Sequence, residues 1–180
     1  MAGTIARMRV RLAAAGDAEA IRTIYNREVT GGTTTFDLVP RTAEDQRTWL
    51  ARHDGAHPAV VAVEDPEVVD GLTGAGGEVV LGFGGLSPFR SRPAYATSVE
   101  DSVYVDDAHR GLGVGRALLE ELVRLAAVHG FHTVIARIVG ENEASIALHR
   151  ACGFEVVGVE REIGRKHGRW LDVVELQRLV

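Results

Sequence analysis

Val103-Tyr104-Val105-Asp106-Asp107-Ala108-His109-Arg110-Gly111-Leu112-Gly113-Val114-Gly115-Arg116-Ala117-Leu118-Leu119 is the stretch that decides how this chain folds. A β-branched and aromatic run gives way to a polar turn, then to three glycines at every second position. Beyond them Leu118, Leu122, Leu125 and Ala126 recur at the spacing of one helix face. The stretch reads as strand, glycine loop, helix. A helix start leaves backbone N–H groups unpaired and partly positive. Glycines let a ligand approach that backbone closely. Together they make an anion site, most often for phosphate. The spacing narrows the choice of ligand. A P-loop needs Gly-Lys-Ser/Thr, whereas Gly115 is followed by Arg116 and Ala117. A dinucleotide fingerprint needs its third glycine three residues after the second, which Gly111, Gly113 and Gly115 do not supply. A glycine-rich turn with no ligand is the competing reading of the stretch by itself.

The bulk numbers place this site in an ordinary globule. At 180 residues a single domain spanning 1–180 is expected, large enough for a sizeable core. Hydrophobic residues make up 46% and charged residues 25%, the balance of a water-exposed fold. A net charge of −5 argues against nucleic acid or an anionic membrane as partner, so any phosphate site must be local. One cysteine, Cys152, rules out a disulfide framework. No segment has the length of a transmembrane helix, and the N-terminus lacks the apolar core of a signal peptide, so the cytoplasm is the expected location.

Periodicity and turn chemistry order the rest. Met8 to Leu12 is a first strand, with Arg7, Arg9 and Arg11 alternating against apolar neighbours. Asp17 is read as the N-cap of a helix whose Ile21, Ile24 and Tyr25 share a face. Thr30 to Asp37 is a loop ending near Phe36. Thr42 and Asp45 open a second helix in a capping-box pattern, with Trp49 and Leu50 expected inward. Pro58 to Glu64 is a strand, Asp65 to Gly77 an exposed hairpin loop. Glu78 to Leu86 is a strand whose Gly82, Gly84 and Gly85 mark a bulge or a close backbone approach. Pro88 to Tyr95 is a loop, Ser98 to Val105 the central strand and Leu112 to Gly130 the long helix. His132 to Val139 is a second central strand and Asn142 to Cys152 a short helix. Phe154 to Glu160 and Trp170 to Leu176 are final strands around a basic turn. The order implies a mixed α/β sheet with helices on its faces.

Alternation sorts Ser98 to Val105 into two faces. Val99, Asp101, Val103 and Val105 share one; Ser98, Glu100, Ser102 and Tyr104 share the other. A polar face on a central strand needs partners, so it is expected to line a wet cleft. Glu100 is then the candidate general base, with Asp101 as rival acid. A carboxylate in such a cleft can take a proton from a bound group, directly or through water. Cys152, at a helix end without an activating pair, reads as packing rather than nucleophile.

Arg110, Gly113 and Gly115 resemble the Gln/Arg-x-x-Gly-x-Gly/Ala pyrophosphate loop of the GCN5-related N-acetyltransferases, the GNAT family. Asn142, Ser145, Gly153 and Phe154 resemble a second signature, Asn-x-x-Ser/Ala-x-x-x-Tyr-x-x-x-Gly-Phe, with His149 in place of the tyrosine. The resemblance implies a mixed twisted sheet with two splayed parallel strands, acetyl-CoA as cosubstrate and no metal. It implies a cofactor site of Val103, Tyr104, Val105, Arg110, Gly111, Leu112, Gly113, Val114, Gly115, Arg116, Asn142 and Ser145. His149 becomes a candidate acid or helper beside Glu100, since histidine exchanges protons near neutral pH; Asn142 also reads as a plain N-cap. Ser-Val-Glu-Asp-Ser-Val-Tyr-Val, Asn-Glu-Ala-Ser-Ile-Ala-Leu-His and Gly-Arg-Lys-His-Gly-Arg-Trp narrow the likeness to the phosphinothricin / methionine sulfoximine acetyltransferase subgroup. That subgroup implies a small amino acid bearing a carboxylate and a second anion, held by Arg90, Arg92 and Tyr95, with Phe36 and Ser102 beside Glu100. It also implies a homodimer with the Phe36 loop close to the neighbour's site; Trp170 itself reads as core or interface packing. Phe89 stands where the subgroup commonly has tryptophan, and the Asp65–Gly77 loop is longer than usual. A polyamine, an aminoglycoside or a peptide N-terminus is the alternative amine, and a non-catalytic acyl-CoA-binding regulator the alternative class.

Overall fold

The computed structural model describes residues 8–64, 68–69, 72–73 and 78–180. The elements are β1 (Met8–Leu12), α1 (Ala18–Gly31), α2 (Ala43–Arg52), β2 (Ala59–Glu64), β3 (Val68–Val69), β4 (Leu72–Thr73) and β5 (Val79–Pro88). Then come β6 (Ser98–Val105), α3 (Val114–Val128), β7 (Thr133–Val139), α4 (Glu143–Ala151), β8 (Glu155–Lys166) and β9 (Arg169–Leu179). Seven strands form one sheet in the order β1-β2-β5-β6-β7-β9-β8. All its neighbours are antiparallel except β6 and β7. This is the expected mixed α/β sheet.

β2 shows how the sheet acquires helices on both faces. Its Ala-Val-Val-Ala-Val run is buried throughout. Val60 and Ala62 face Leu118, Leu119 and Leu122 of α3, while Val61 and Val63 face Ile21, Ile24 and Tyr25 of α1. A strand covered on both sides reads as a continuous apolar run instead of an alternating one. α3 lies tight against β5 and β6 because β5 carries glycines: a Cβ on Gly84 would meet the Ser102 carbonyl at 2.7 Å and Leu122 at 2.9 Å. The bulge falls between Ala62 and Val63, opposite these glycines. Both readings of the glycines hold.

Several local expectations are corrected. Asp17 makes no side-chain cap on α1. Its carboxylate turns back to two prongs of Arg11, at 2.7 and 2.9 Å, and to the Ala14 N–H at 2.7 Å; such charge-assisted pairs outcompete a cap. α1 runs on to Gly31, where Thr30 donates its hydroxyl to the Asn26 carbonyl at 2.9 Å, so the loop starts at Gly32. On α2 the capping box forms as read, but Trp49 and Leu50 are half-buried and Gln46 holds the sealed position. Trp49 instead stacks on His53 at 3.9 Å. The hairpin β3–β4 lies within Asp65–Gly77; its exposure, like the side chain of Arg7, is outside the described residues. The last two strands are longer than read. Pairing continues to Lys166 opposite Arg169, leaving a two-residue turn, His167 and Gly168, at φ 50° and 76°. That is the doubly positive geometry that matches strand twist. Trp170 is 60% exposed, with the Arg165 guanidinium 5.6 Å from its ring, so it is no core residue of this chain.

β6 and β7 pair only from Ser98 opposite Thr133 to Glu100 opposite Ile135. Beyond that β6 continues to Val105 and β7 to Val139 with no bond between them. The two parallel strands splay, and the cavity and groove are built around that opening.

Candidate active site

The glycine loop meets the open end of the splay. α3 starts at Val114 behind Gly113, at φ 85°, with no side-chain cap. Its first intrahelical bond runs from the Ala117 N–H to the Gly113 carbonyl, so the amides of Val114, Gly115 and Arg116 precede the ladder. Gly111, at φ 75°, turns the chain just before. A groove of about 700 Å³ follows, bounded by Val103 to Val105 on one side and Asn142, Ser145 and Leu148 on the other. Gly115 lets α4 close against α3, since a Cβ there would stand 3.1 Å from Leu148. Arg110 is engaged by Glu28 at 2.6 Å and Asp107 at 2.8 Å. A guanidinium so paired is an exposed, competed-for donor, whereas the backbone amides that precede the ladder are free of helix partners. Replacing Gly113 by alanine forces a left-handed residue to carry a Cβ, at about 1–2 kcal/mol. Coenzyme A binding is expected to weaken about tenfold, as read by isothermal titration.

Where the strands part, a second cavity of about 220 Å³ opens next to the groove, with Tyr104, Asn142 and Ser145 shared between them. Glu100, Ser102 and Phe36 line it, as do Asp101, His149 and Arg137. Burial pushes the Glu100 carboxyl above its ordinary value; Arg137 opposes the rise, and Asp101, Glu175 and Glu160 add to it. A carboxyl raised this way holds a proton more tightly than an ordinary glutamate, which makes its ionised form the better base. The expected wet face is not a face. Tyr104 joins an aromatic cluster, 5.1 Å from Phe83 and 5.2 Å from Tyr25, and its hydroxyl is pushed well above the tyrosine range by burial. Asp101, from the opposite face, lines the same cavity as Glu100. The cavity lies at the splayed edge of β6, so it receives residues from both faces.

His149 is 3% exposed, with Nδ1 at 2.8 Å from the Ser145 carbonyl and Nε2 at 3.1 Å from Asp101. Burial pulls the ring's affinity for a proton down, and the Asp101 bond and charge, with Ser145, more than offset this. Asn142 caps α4, accepting the Ser145 N–H at 3.1 Å. Cys152 is buried and its thiol is pushed up by burial, the opposite of an activated nucleophile.

Of the residues singled out in the sequence, Phe36, Glu100, Ser102 and His149 meet in the cavity. Val103 to Val105, Arg110, Gly111, Gly113 to Arg116, Asn142 and Ser145 meet in the groove; Leu112 is not among its lining residues. Arg90, Arg92 and Tyr95 form a separate open pocket, with the Arg90 guanidinium 4.7 Å from the Phe89 ring. Their loop leaves β5 beside the base, since Ser87 is the register partner of Glu100. Sequence reading missed Arg137, Thr34 and Thr35 in the wall, and Lys166 behind it. Lys166, 2% exposed, donates to the carbonyls of Glu28 at 3.1 Å and Thr35 at 2.8 Å. Phe36 lies against Gly164, which leaves no room for a side chain there. The basic turn gave a signal, but as surface charge.

An uncapped glycine-led helix thus stands beside two splayed parallel strands, with a half-buried carboxylate at their fork and a cavity adjoining the groove. The model of the Acetyltransferase (GNAT) family matches residues 19–154. A phosphinothricin N-acetyltransferase of Streptomyces coelicolor is 39% identical over 99% of both chains. An L-methionine sulfoximine/L-methionine sulfone acetyltransferase of Pseudomonas paraeruginosa is 36% identical over 93% of this chain and 92% of its own. The crystal structure of a phosphinothricin acetyltransferase from Sinorhizobium meliloti in complex with AcCoA superposes with a TM-score of 0.86 at 38% identity, over 96% of this chain and 88% of that one. This chain belongs to the GNAT acetyltransferase family, and it is an N-acetyltransferase.

Proposed function

We propose that this enzyme transfers the acetyl group of acetyl-CoA to the α-amine of small amino acid analogues such as phosphinothricin, methionine sulfoximine or methionine sulfone, by direct attack in a ternary complex. The observation that carries the reading is Glu100, half-buried at the fork of β6 and β7 in a cavity adjoining the glycine-loop groove. The named relatives support the substrate class. The residues fit acetyl-CoA: α3 offers amides without a cap, and the edge of β6 past Glu100 has no strand partner on the side of β7. When bound, that cosubstrate supplies an activated acyl carbon and a thiolate leaving group.

The chain's own residues do the rest. The amides of Val114 to Arg116 hold the diphosphate, with Arg110 in a lesser role. Val103, Tyr104 and Val105 line the arm. Glu100 accepts the proton from the substrate ammonium, directly or through a water, which frees the amine to attack. Phe36 and Ser102 bound the amine, and the forks of Arg90 and Arg92, with Tyr95, take its anionic groups. The rate is expected to fall as pH drops through the Glu100 pKa, because the base works only when ionised. With that pKa raised by burial, the acid limb of kcat against pH is expected above the ordinary glutamate value.

A thiol-release assay over a panel of amines tests the function. Turnover with phosphinothricin, methionine sulfoximine or methionine sulfone, and little with spermidine, is expected. Preference for spermidine would move the reading to a cationic substrate. The enzyme is proposed to act in the cytoplasm as a homodimer. Among the described residues no helix is long and apolar enough to cross a membrane. Val156, Val157, Val159 and Ile163 on the outermost strand stand exposed, as does Trp170. Light scattering is expected to give twice the chain mass of 19.3 kDa.

A further inference from the structure

We infer that Asp101 is a positioning residue: it and the Ser145 carbonyl hold both nitrogens of His149, fixing a buried imidazolium in the cavity wall that does not exchange the proton of the reaction. The inference rests on the reading of Glu100 as base, and it leaves Glu100 as the proton carrier of the site.

The hydrogen bonds leave little freedom. The Ser145 carbonyl can only accept, so Nδ1 at 2.8 Å must carry a proton. At 3.1 Å from Nε2 stands an oxygen of Asp101, also an acceptor when ionised. With Asp101 ionised the ring faces acceptors at both nitrogens and is doubly protonated, whereas a protonated Asp101 would donate to the Nε2 of a neutral ring. The side chains of Asp101 and His149 are 2% and 4% exposed. The second oxygen of Asp101, Oδ1, is sealed and has no partner among the described residues. A buried carboxylate in that state needs a cation, and the ring is the one in contact with it. Phe154 fixes the ring from the side, edge to face at 5.1 Å. The other ionisable groups around it are Glu100 and Tyr104 of β6 and Arg137 of β7 in the shared cavity, and Cys152 at the end of its own helix. None of them is recorded in a hydrogen bond with the ring. With both N–H groups committed, His149 has none to offer a leaving thiolate without breaking a buried pair.

Two measurements on the whole enzyme decide the matter. In ¹⁵N-resolved NMR the His149 ring is expected to keep an imidazolium signature past neutral pH. In Asp101→Asn it is expected to become the neutral Nδ1–H tautomer, with its titration moved down. The double variant Asp101→Asn/His149→Gln replaces the ion pair by two neutral amides and avoids a stranded charge. It is expected to keep kcat within about tenfold of the parent, whereas loss of a proton-transfer group costs about 10²–10⁴-fold. A neutral ring in the parent at pH 7, or a hundredfold or greater loss in a folded double variant, would overturn the inference. The base has its own test: Glu100→Gln should lower turnover about 10²–10⁴-fold while leaving the His149 signature unchanged, so the two failures are told apart.

Discussion

Glu100→Gln is expected to lower kcat by about 10²–10⁴-fold while leaving coenzyme A binding within about twofold of the parent. Glutamine keeps the volume and the polarity, so the cavity around Ser102, Phe36 and Arg137 should stand. What it removes is the one carboxylate there whose proton affinity burial has raised and which has no ring holding it. Asp101 cannot substitute, since His149 occupies it. The amides proposed to hold the diphosphate lie at the start of α3, in the adjoining groove, whose lining does not include Glu100, so binding should be spared. The acid limb of the pH profile should vanish along with the rate. Stopped-flow thiol release and titration calorimetry on the same preparation check both halves. Full activity with an unchanged limb would remove Glu100 from the chemistry.

Phe83→Ala is expected to have the largest effect on stability, about 3–5 kcal/mol. The ring is fully buried and sits at the hub of the smaller core, 5.1 Å from Tyr104, 5.8 Å from Trp49 and 6.5 Å from Tyr25. Its removal leaves a cavity that β5 and β6 cannot collapse into, because Gly82 and Gly84 already bring these strands hard against α3. For a domain of this size the melting temperature should drop by about 6–20 °C. Tyr104 loses its stacking partner, and it lines both the groove and the cavity. The KM for both substrates should therefore rise in the variant at temperatures where it remains folded. Differential scanning calorimetry gives the first number and steady-state kinetics the second. A loss below about 1 kcal/mol would mean that the smaller core can repack around the gap.

The elements that position the site were legible because each is set by local chemistry. Ser98 to Val105 alternates as a strand must, and its bounds are as read. Gly113 needs a positive φ and marks the start of α3. Thr42 with Asp45, and Asn142 with Ser145, write their own helix starts. What the sequence hides is which residues meet across distance. Asp101 looked like a neighbour of valines, yet it pairs with His149 on another element. Lys166 reads as one charge of a basic turn, and only the fold carries it to the carbonyls of Glu28 and Thr35. Asp17 looked like a cap because nothing local shows that Arg11 would claim it. Alternation told which β6 side chains share a face. It could not tell that the splay ends that face at Glu100 and opens a cavity along the strand's edge.

The most direct measurement is a crystal structure of this chain with coenzyme A and an amine acceptor. Expected is the diphosphate against the amides of Val114, Gly115 and Arg116, with the acceptor nitrogen within hydrogen-bond reach of Glu100 or one water away. A nucleotide bound elsewhere, or a Glu100 side chain turned into the apolar interior, would contradict it.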